Sequence, residues 1–121
     1  MAIDDPLTGR LLSCAVAVHK GLGGGFLEKV YENALVYECR KAGLEVKPQY
    51  PIRVFYDQTL VGEFVADLLV NGELLVELKA VRTLDDVHMA QCLNYLKATG
   101  LKRCLLLNFA NTTLEIKRIV H

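Results

Sequence analysis

The stretch that most constrains the fold runs from Asp67 to Lys79 and has the sequence DLLVNGELLVELK. Two apolar runs flank Asn71-Gly72, and Asn-Gly between such runs is the strongest short-range signal for a β-hairpin. The sequence therefore predicts the end of one strand, a tight turn and a second strand. Three charged residues, Asp67, Glu77 and Lys79, interrupt this otherwise apolar hairpin.

These charges have two interpretations. Side chains alternate between the two faces of a strand, so Glu77 and Lys79 lie on the same face, where they would form an exposed ion pair that contributes little stability. However, the residues on either side of Glu77 are apolar, which is typical of a strand buried on both faces. Buried charges pair or bind a metal. This context favours a divalent-metal site formed by Asp67 and Glu77, with Lys79 as an auxiliary cation.

The length of the hairpin loop decides whether Asp67 and Glu77 share a face. A two-residue loop at Asn71-Gly72 pairs Asp67 with Val76, and the two carboxylates then lie on opposite faces. A shared site requires a loop with an odd number of residues, or a bulge. A three-residue loop that ends in a left-handed residue is one example.

Further helices and strands are predicted before and after this hairpin. Asp5-Pro6 predicts a helix start, the Gly-rich segment 21–25 predicts a break, and a second helix is expected from Phe26 to Ala42. Strands are expected over 52–56, up to Val70, over 74–80, 103–109 and 114–119, with a helix over 84–99. This order predicts one α/β domain, residues 1–121, with a mixed β-sheet flanked by helices.

Composition narrows the cellular setting and the partners. No apolar run approaches the roughly 20 residues that span a bilayer, so we expect no membrane partner and a cytoplasmic protein. The four cysteines lack Cys-x-x-Cys spacing, which favours free, buried thiols. The formal net charge is zero, and a dedicated non-specific DNA-binding protein is usually basic.

Two motifs point to a known family. Gly25-Phe26-Leu27-Glu28-Lys29-Val30-Tyr31 is similar to the Gly-x-x-Glu-x-x-Tyr motif of the GxxExxY proteins, and Asp67 followed by Glu77-Leu78-Lys79 resembles the motif of the PD-(D/E)XK nuclease superfamily. The resemblance extends from the first helix to Ile119-Val120 and implies a restriction-endonuclease-like αβββαβ core. The chain departs from it at Ala66, where the superfamily name has Pro, and at Gly24, where the family has Pro.

The resemblance also implies roles for site residues. Asp67, Glu77 and the carbonyl of Leu78 would bind Mg²⁺ or Mn²⁺, and Lys79 would position the attacking water or stabilise phosphate charge. Glu28 would contact the metal through water, although an acidic residue in a first helical turn also simply complements the helix dipole.

Gln91 and Tyr95 match a Gln-x-x-x-Tyr motif of RecB-type nucleases. We expect Gln91 to orient the nucleophile or a phosphate, whereas Tyr95 is open to a packing role. His88 lies on the same helix stripe, and a solvated polar face explains it better than a catalytic role.

The leading functional hypothesis is a Mg²⁺-dependent nuclease that acts on nucleic acid, with DNA favoured. The alternatives are a non-catalytic binding or assembly module and a hydrolase of other phosphoesters. Because one small neutral subunit offers little surface to a duplex, we also expect a twofold homodimer. The candidates for its phosphate-facing edge are Arg82, Lys97, Lys102 and Arg103.

Overall fold

The computed structural model describes residues 5–121. It contains helices α1 (Pro6–Leu22), α2 (Glu28–Lys41) and α3 (Asp86–Thr99), and strands β1 (Val46–Tyr56), β2 (Thr59–Val70), β3 (Leu74–Lys79), β4 (Arg103–Asn108) and β5 (Glu115–Val120). In this part of the chain, no helix combines the length and apolar character needed to cross a membrane.

The five strands form one sheet in the order β1-β2-β3-β4-β5. Neighbouring strands are antiparallel except β3 and β4, which are parallel and are joined through α3, because parallel neighbours need a crossover connection. Residues of α1 and α2 pack on one face of the sheet and residues of α3 pack on the other. The predicted mixed sheet with flanking helices is confirmed.

Local signals fix the ends of the helices. The Asp5 side chain accepts a hydrogen bond from the Thr8 amide at 2.9 Å, as expected of an N-cap. At α3, Asp85 and His88 form a capping box in which the His88 ring accepts a hydrogen bond from the Asp85 amide. His88 is half-buried and serves as a cap, so the solvated polar face expected for it is wrong.

Two expectations about the elements need correction. β1 begins at Val46 rather than at residue 52, because β1 is an edge strand, where Pro48 and Pro51 are tolerated without loss of ladder hydrogen bonds. On α2, the apolar residues Leu27, Val30, Tyr31, Ala34 and Tyr37 recur at helical spacing and predict one apolar stripe. Tyr31 is buried and Ala34 is half-buried, but Leu27, Val30 and Tyr37 are exposed. The other buried side chains of this helix are Glu32, Leu35 and Cys39.

The hairpin of β1 and β2 extends beyond the third strand. We call residues 53–65 the arm. Within it the register shifts between Val54, which pairs with Gly62, and Phe55, which pairs with Leu60. Gly within a strand indicates a bulge, and the register shift lies next to Gly62. Most side chains of the arm are exposed, including those of Phe55, Tyr56, Leu60, Val61, Phe64 and Val65.

The burial of β3 and of the cysteines agrees with the sequence, whereas that of β5 differs in part. Leu74 to Leu78 are all buried, as the apolar flanks of Glu77 predicted. The four cysteines are free and buried. Glu115 was expected to face solvent, but it is half-buried and accepts a hydrogen bond from the Asn108 side chain at 3.1 Å.

Candidate active site

The hairpin loop has an odd number of residues, which is the condition for a shared site. Val70 pairs with Leu74, so the loop has three residues, 71–73. Asn71 and Gly72 have positive φ values of 50° and 70°, a conformation that Asn and Gly adopt readily. The left-handed residues are therefore the first two of the loop rather than the last. The same register, continued by one residue beyond Leu68 and Val76, brings Asp67 next to Glu77, and hydrogen bonds join the two residues.

The two carboxylates each accept a hydrogen bond from the other strand. The Asp67 amide donates to Oε1 of Glu77 at 2.7 Å, and the Leu78 amide donates to Oδ2 of Asp67 at 2.8 Å. The regular pairing of β2 with β3 ends at Leu68 and Val76. Beyond that pair, carboxylate oxygens take the place of backbone carbonyls as acceptors, so the strands separate where the site begins.

This arrangement leaves oxygen atoms for a cation. Each carboxylate uses one oxygen in the reciprocal hydrogen bonds and retains a second. The amide and the carbonyl of one strand residue point to the same side, so the Leu78 carbonyl also points towards Asp67. Hard oxygen donors of this kind suit Mg²⁺ or Mn²⁺. Within residues 5–121, no three His, Cys, Asp or Glu side chains cluster as a metal site, so water and substrate would have to supply further ligands.

Burial raises the pKa values of both carboxyl groups. Glu77 is 4% exposed, and burial, together with the charge of Asp67, raises its pKa to about 8. Burial also raises the pKa of Asp67, with smaller contributions from the charges of Glu32 and Glu28. Two carboxyl groups in one buried site resist simultaneous ionisation. A bound cation would relieve that repulsion, which is consistent with a metal site.

Lys79 lies two residues beyond Glu77 at the end of β3 and is half-buried. Its charge opposes the upward pKa shifts of both Asp67 and Glu77, so it is close enough to act on either. In the described chain, no carboxylate forms an ion pair with Lys79. Its ammonium group therefore remains available to a bound anion.

The first turn of α2 brings Glu28 towards the site. Glu28 is exposed, and its charge contributes to the raised pKa values of Asp67 and Glu77. Its side chain makes no hydrogen bond or ion pair within residues 5–121. The helix dipole favours an acidic residue in this first turn. It does not explain why that residue lies unpaired near two other carboxylates.

Glu32 is a buried carboxylate that the sequence reasoning missed. It is 5% exposed, and it accepts hydrogen bonds from Lys29 at 2.8 Å and from the side chain of Gln49 at 3.0 and 3.1 Å. It lies one helical turn after Glu28, and this i, i+4 spacing was the available signal. Two donors satisfy Glu32, and its charge contributes to the raised pKa of Asp67.

Gln49 has an unusual backbone for a strand residue. Its φ is 55°, which costs a residue with a side chain about 1 kcal/mol or more. The pairing of β1 with β2 omits Gln49 between Pro48 and Tyr50. At this break the Gln49 side chain donates to Glu32, so a strained residue connects α2 with the edge strand β1, which pairs with the strand that carries Asp67.

Gln91 and Tyr95 lie on α3, which packs on the face of the sheet that carries Glu77. Tyr95 is buried and packs against Phe64, with ring centroids 5.9 Å apart, so the packing role is confirmed. Gln91 is half-buried, and its side chain makes no hydrogen bond within the described residues. The structure does not bring Gln91 into contact with the carboxylates, and its role remains a prediction.

Tyr31 holds the Gly-rich loop that precedes α2. Its hydroxyl group donates to the Gly23 carbonyl at 2.6 Å and accepts from the Phe26 amide at 3.1 Å, and its ring stacks on Phe109 with centroids 4.7 Å apart. A Cβ atom at Gly24 would collide with the carbonyl oxygen of Ala110. This close approach explains why the chain has Gly at position 24, where Pro was expected.

The proposed phosphate-facing residues lie in different parts of the fold. Arg103 forms ion pairs with Asp5 and Glu73, so its charge is already compensated. It pairs with Leu74 at the opposite end of β3 from Lys79. Arg82 follows β3 closely, whereas Lys97 lies in the last turn of α3. Arg103 is therefore a poor candidate for a phosphate contact, and the role of Arg82, Lys97 and Lys102 at such an edge remains a prediction.

Comparison with known protein families gives a match over nearly the whole chain. The family model of the PD-(D/E)XK nuclease superfamily matches residues 5–119. This chain therefore belongs to the PD-(D/E)XK nuclease superfamily. A comparison with curated protein sequences found no match.

Solved structures show the same fold. The crystal structure of SSO0001 superposes with a TM-score of 0.61 at 12% identity, over 78% of this chain and 50% of that chain. An alkaline exonuclease from Laribacter hongkongensis superposes with a TM-score of 0.57 at 12% identity, over 100% of this chain and 72% of that chain. The present chain thus spans half the length of SSO0001. At this identity the likeness establishes the restriction-endonuclease-like α/β fold.

Proposed function

We propose that this protein is a divalent-metal-dependent nuclease that hydrolyses phosphodiester bonds of nucleic acid, with DNA as the favoured substrate. The observation that carries this proposal is the reciprocal hydrogen bonding of Asp67 and Glu77 where β2 and β3 separate. Superfamily membership supports nuclease chemistry, and the likeness to an alkaline exonuclease supports it at the level of the fold.

Asp67, Glu77 and the Leu78 carbonyl would hold Mg²⁺ or Mn²⁺. When bound, such a cation lowers the pKa of a water molecule and offsets charge on the phosphate. The raised pKa of Glu77, about 8, means that this carboxyl group retains a proton at neutral pH in the metal-free protein. It must release that proton to act as a ligand, so cation affinity should rise with pH.

Three further side chains would act on substrate or water. The unpaired ammonium group of Lys79 would donate to a phosphate oxygen or position the attacking water, and preorganised donors of this kind stabilise developing charge. Glu28 would accept a hydrogen bond from a water molecule at the site. Gln91 would orient the nucleophile or a phosphate from α3.

We also propose that the chain is a GxxExxY protein. Supporting this, the three motif residues have separate roles around one loop. Gly25 has a positive φ of 103°, Tyr31 closes the loop through its hydroxyl group, and Glu28 directs its charge towards Asp67 and Glu77.

A cleavage assay tests the nuclease function. Purified protein should cleave single-stranded or duplex DNA with Mg²⁺ or Mn²⁺ and should stop when EDTA is added. Glu77→Ala should abolish cleavage while the thermal unfolding transition remains, because it removes a ligand and relieves carboxylate repulsion. The matched control is Glu63→Ala on the arm, which should cleave as the wild type does.

Calorimetry gives a second and independent measurement. Titration with Mn²⁺ should show binding to the wild type and none to the Asp67→Ala/Glu77→Ala double variant. Equal affinity in both proteins would refute the site, whatever the outcome of the cleavage assay.

The rival function is a binding or assembly module that does not cleave. It is favoured by the lack of a cluster of three or more acidic, His or Cys ligands within residues 5–121. In that case the wild type would show no cation binding in the same titration. A hydrolase of other phosphoesters would bind the cation but leave nucleic acid intact.

A further inference from the structure

A groove lies between the arm and α3, on the face of the sheet that carries Glu77. Its volume is about 810 Å³, which is within the range of roughly 300–1,000 Å³ typical of ligand sites. Its arm wall includes Arg53, Phe55 and Phe64, and its helix wall includes Gln91, Asn94 and Lys97. The proposed cleavage reaction does not by itself explain such a groove.

The arm wall exposes aromatic surface. Phe55 is 59% exposed and Phe64 is 49% exposed. Contiguous exposed apolar surface is uncommon on monomeric proteins and usually marks a binding site. Aromatic rings at a groove wall are the platforms on which unpaired bases stack. The bases of a duplex are stacked on each other and do not offer their faces in this way.

The charged side chains that line the groove within the described chain are Arg53 and Lys97, and both are cationic. No carboxylate of residues 5–121 lines it. Arg53 also approaches Glu63 at 3.7 Å, but both side chains are 65% exposed, so this pair is weak. The Gln91 and Asn94 amides add hydrogen-bond donors. This lining complements a phosphate backbone, although the whole chain is neutral.

Tyr95 links the groove to the candidate active site. Tyr95 lines the groove and packs on Phe64, and the charges of Glu77 and Asp67 act on its hydroxyl group. Asp67 follows Phe64 by three residues on β2, a distance of about 10 Å along a strand. A polymer bound along the groove would therefore reach the two carboxylates within a few nucleotides.

We propose that this groove binds a single-stranded segment of nucleic acid, with bases stacked on Phe55 and Phe64 and phosphates near Arg53 and Lys97, and that it leads the strand to Asp67 and Glu77. This inference rests on the proposed nuclease function for its destination, but binding in the groove is measurable without cleavage.

The test is fluorescence anisotropy with a labelled oligothymidylate of about 12 nucleotides, within the range of known single-strand sites. EDTA is present, so neither a metal nor cleavage contributes. The wild type should bind the single strand more tightly than a blunt duplex. Phe55→Ala/Phe64→Ala should weaken binding by about tenfold or more, because each lost stacking platform lowers affinity several-fold. Phe55→Tyr/Phe64→Tyr should retain it.

Matched controls separate the groove from the rest of the arm. Tyr56→Ala/Leu60→Ala removes equally exposed apolar side chains that do not line the groove and should leave affinity within twofold. Lys97→Gln should reduce the slope of log affinity against log salt by about 0.7, the value for one phosphate contact with a single strand. Lys117→Gln on β5 should not change the slope. Thermal melting confirms that each variant is folded.

Three outcomes would overturn the inference: no binding by the wild type, tighter binding of the duplex, or equal affinity of the wild type and the Phe55→Ala/Phe64→Ala variant. Light scattering that shows a dimer lost in that variant would instead assign the groove to a second copy of this chain. Groove-dependent binding without cleavage under any metal condition would contradict the proposed nuclease function but support binding in the groove. Cleavage with an unchanged KM in the Phe55→Ala/Phe64→Ala variant would support the nuclease function but contradict binding in the groove.

Discussion

β2 passes through two environments, and the difference between them organises the protein. Residues 59–65 belong to the arm, pair only with β1 and are mostly exposed. Residues 66–70 are buried or half-buried, and Leu68 to Val70 pair with β3 as well as with β1. We call residues 66–70, 74–78 and 104–108, which are buried or half-buried, the sheet centre. Asp67 lies just inside it. In β2, the buried part thus raises the pKa of Asp67, and the exposed part offers surface to the proposed nucleic-acid strand.

Matched Leu→Ala substitutions should separate the two regions most strongly. Leu106 on β4 is fully buried beside Glu77, whereas Leu60 on the arm is 46% exposed. Leu106→Ala should lower the free energy of unfolding by about 2–5 kcal/mol, since it leaves a cavity in a packed core. Leu60→Ala should change it by about 0.5 kcal/mol or less. Urea denaturation measures both, and equal losses would mean that the arm is part of the cooperative core.

Lys79→Ala and Phe55→Ala should divide catalysis from binding. Lys79→Ala should lower kcat on the order of 10² or more, the scale of one positioned catalytic group, and leave Mn²⁺ affinity unchanged. Phe55→Ala on the arm should raise KM and leave kcat unchanged. Steady-state kinetics and calorimetry check both variants. If Lys79→Ala abolished cation binding, its role would be structural support of the carboxylates.

The pH dependence of stability should reveal the burial of the sheet centre. The folded pKa of Glu77, about 8, lies above its ordinary value of 4.5, so between these values the folded metal-free protein binds more protons than the unfolded chain. Its stability should therefore fall as pH rises through this window, by up to about 1.4 kcal/mol per pH unit. Urea denaturation in EDTA at several pH values measures this slope.

Two variants calibrate that profile. Glu77→Gln should flatten it, because the titrating group is gone, and should be more stable than the wild type near pH 7. Glu63→Gln on the exposed arm should reproduce the wild-type profile. A wild-type stability that rises between pH 5 and 8 would contradict the burial of Glu77.

The smallest effect is expected at the edge of the site. Glu28→Gln should reduce cleavage by about tenfold, the lower range for a group that supports a metal through another ligand, and less than Glu77→Ala does. Glu38→Gln, on the same helix, is the control and should be neutral. A loss as large as that of Glu77→Ala would instead make Glu28 a direct ligand.

Much of the fold followed from local chemistry. Asp5-Pro6 and Gly100 mark helix ends, and apolar runs around Asn71-Gly72 predicted the hairpin. These signals succeed because capping and turn formation involve residues that are close in sequence. The apolar stripe on α2 was correct at Tyr31 and Ala34 but wrong at Leu27, Val30 and Tyr37, for the opposite reason. Periodicity identifies a face, but the packing of α1 and the sheet decides which face is covered, so Tyr37 is exposed and Glu32 is buried.

The sequence by itself determined the chemical content of the site: two carboxylates, a lysine between apolar residues, and an odd loop as the condition for bringing them together. The tertiary structure decided that the loop has three residues, that Asp67 and Glu77 accept each other's strand amides, and that Gln49 and Glu32 lie beside them. It also placed α3 opposite the arm to form the groove. These contacts join residues distant in the chain, and their geometry depends on burial and register that no local pattern specifies.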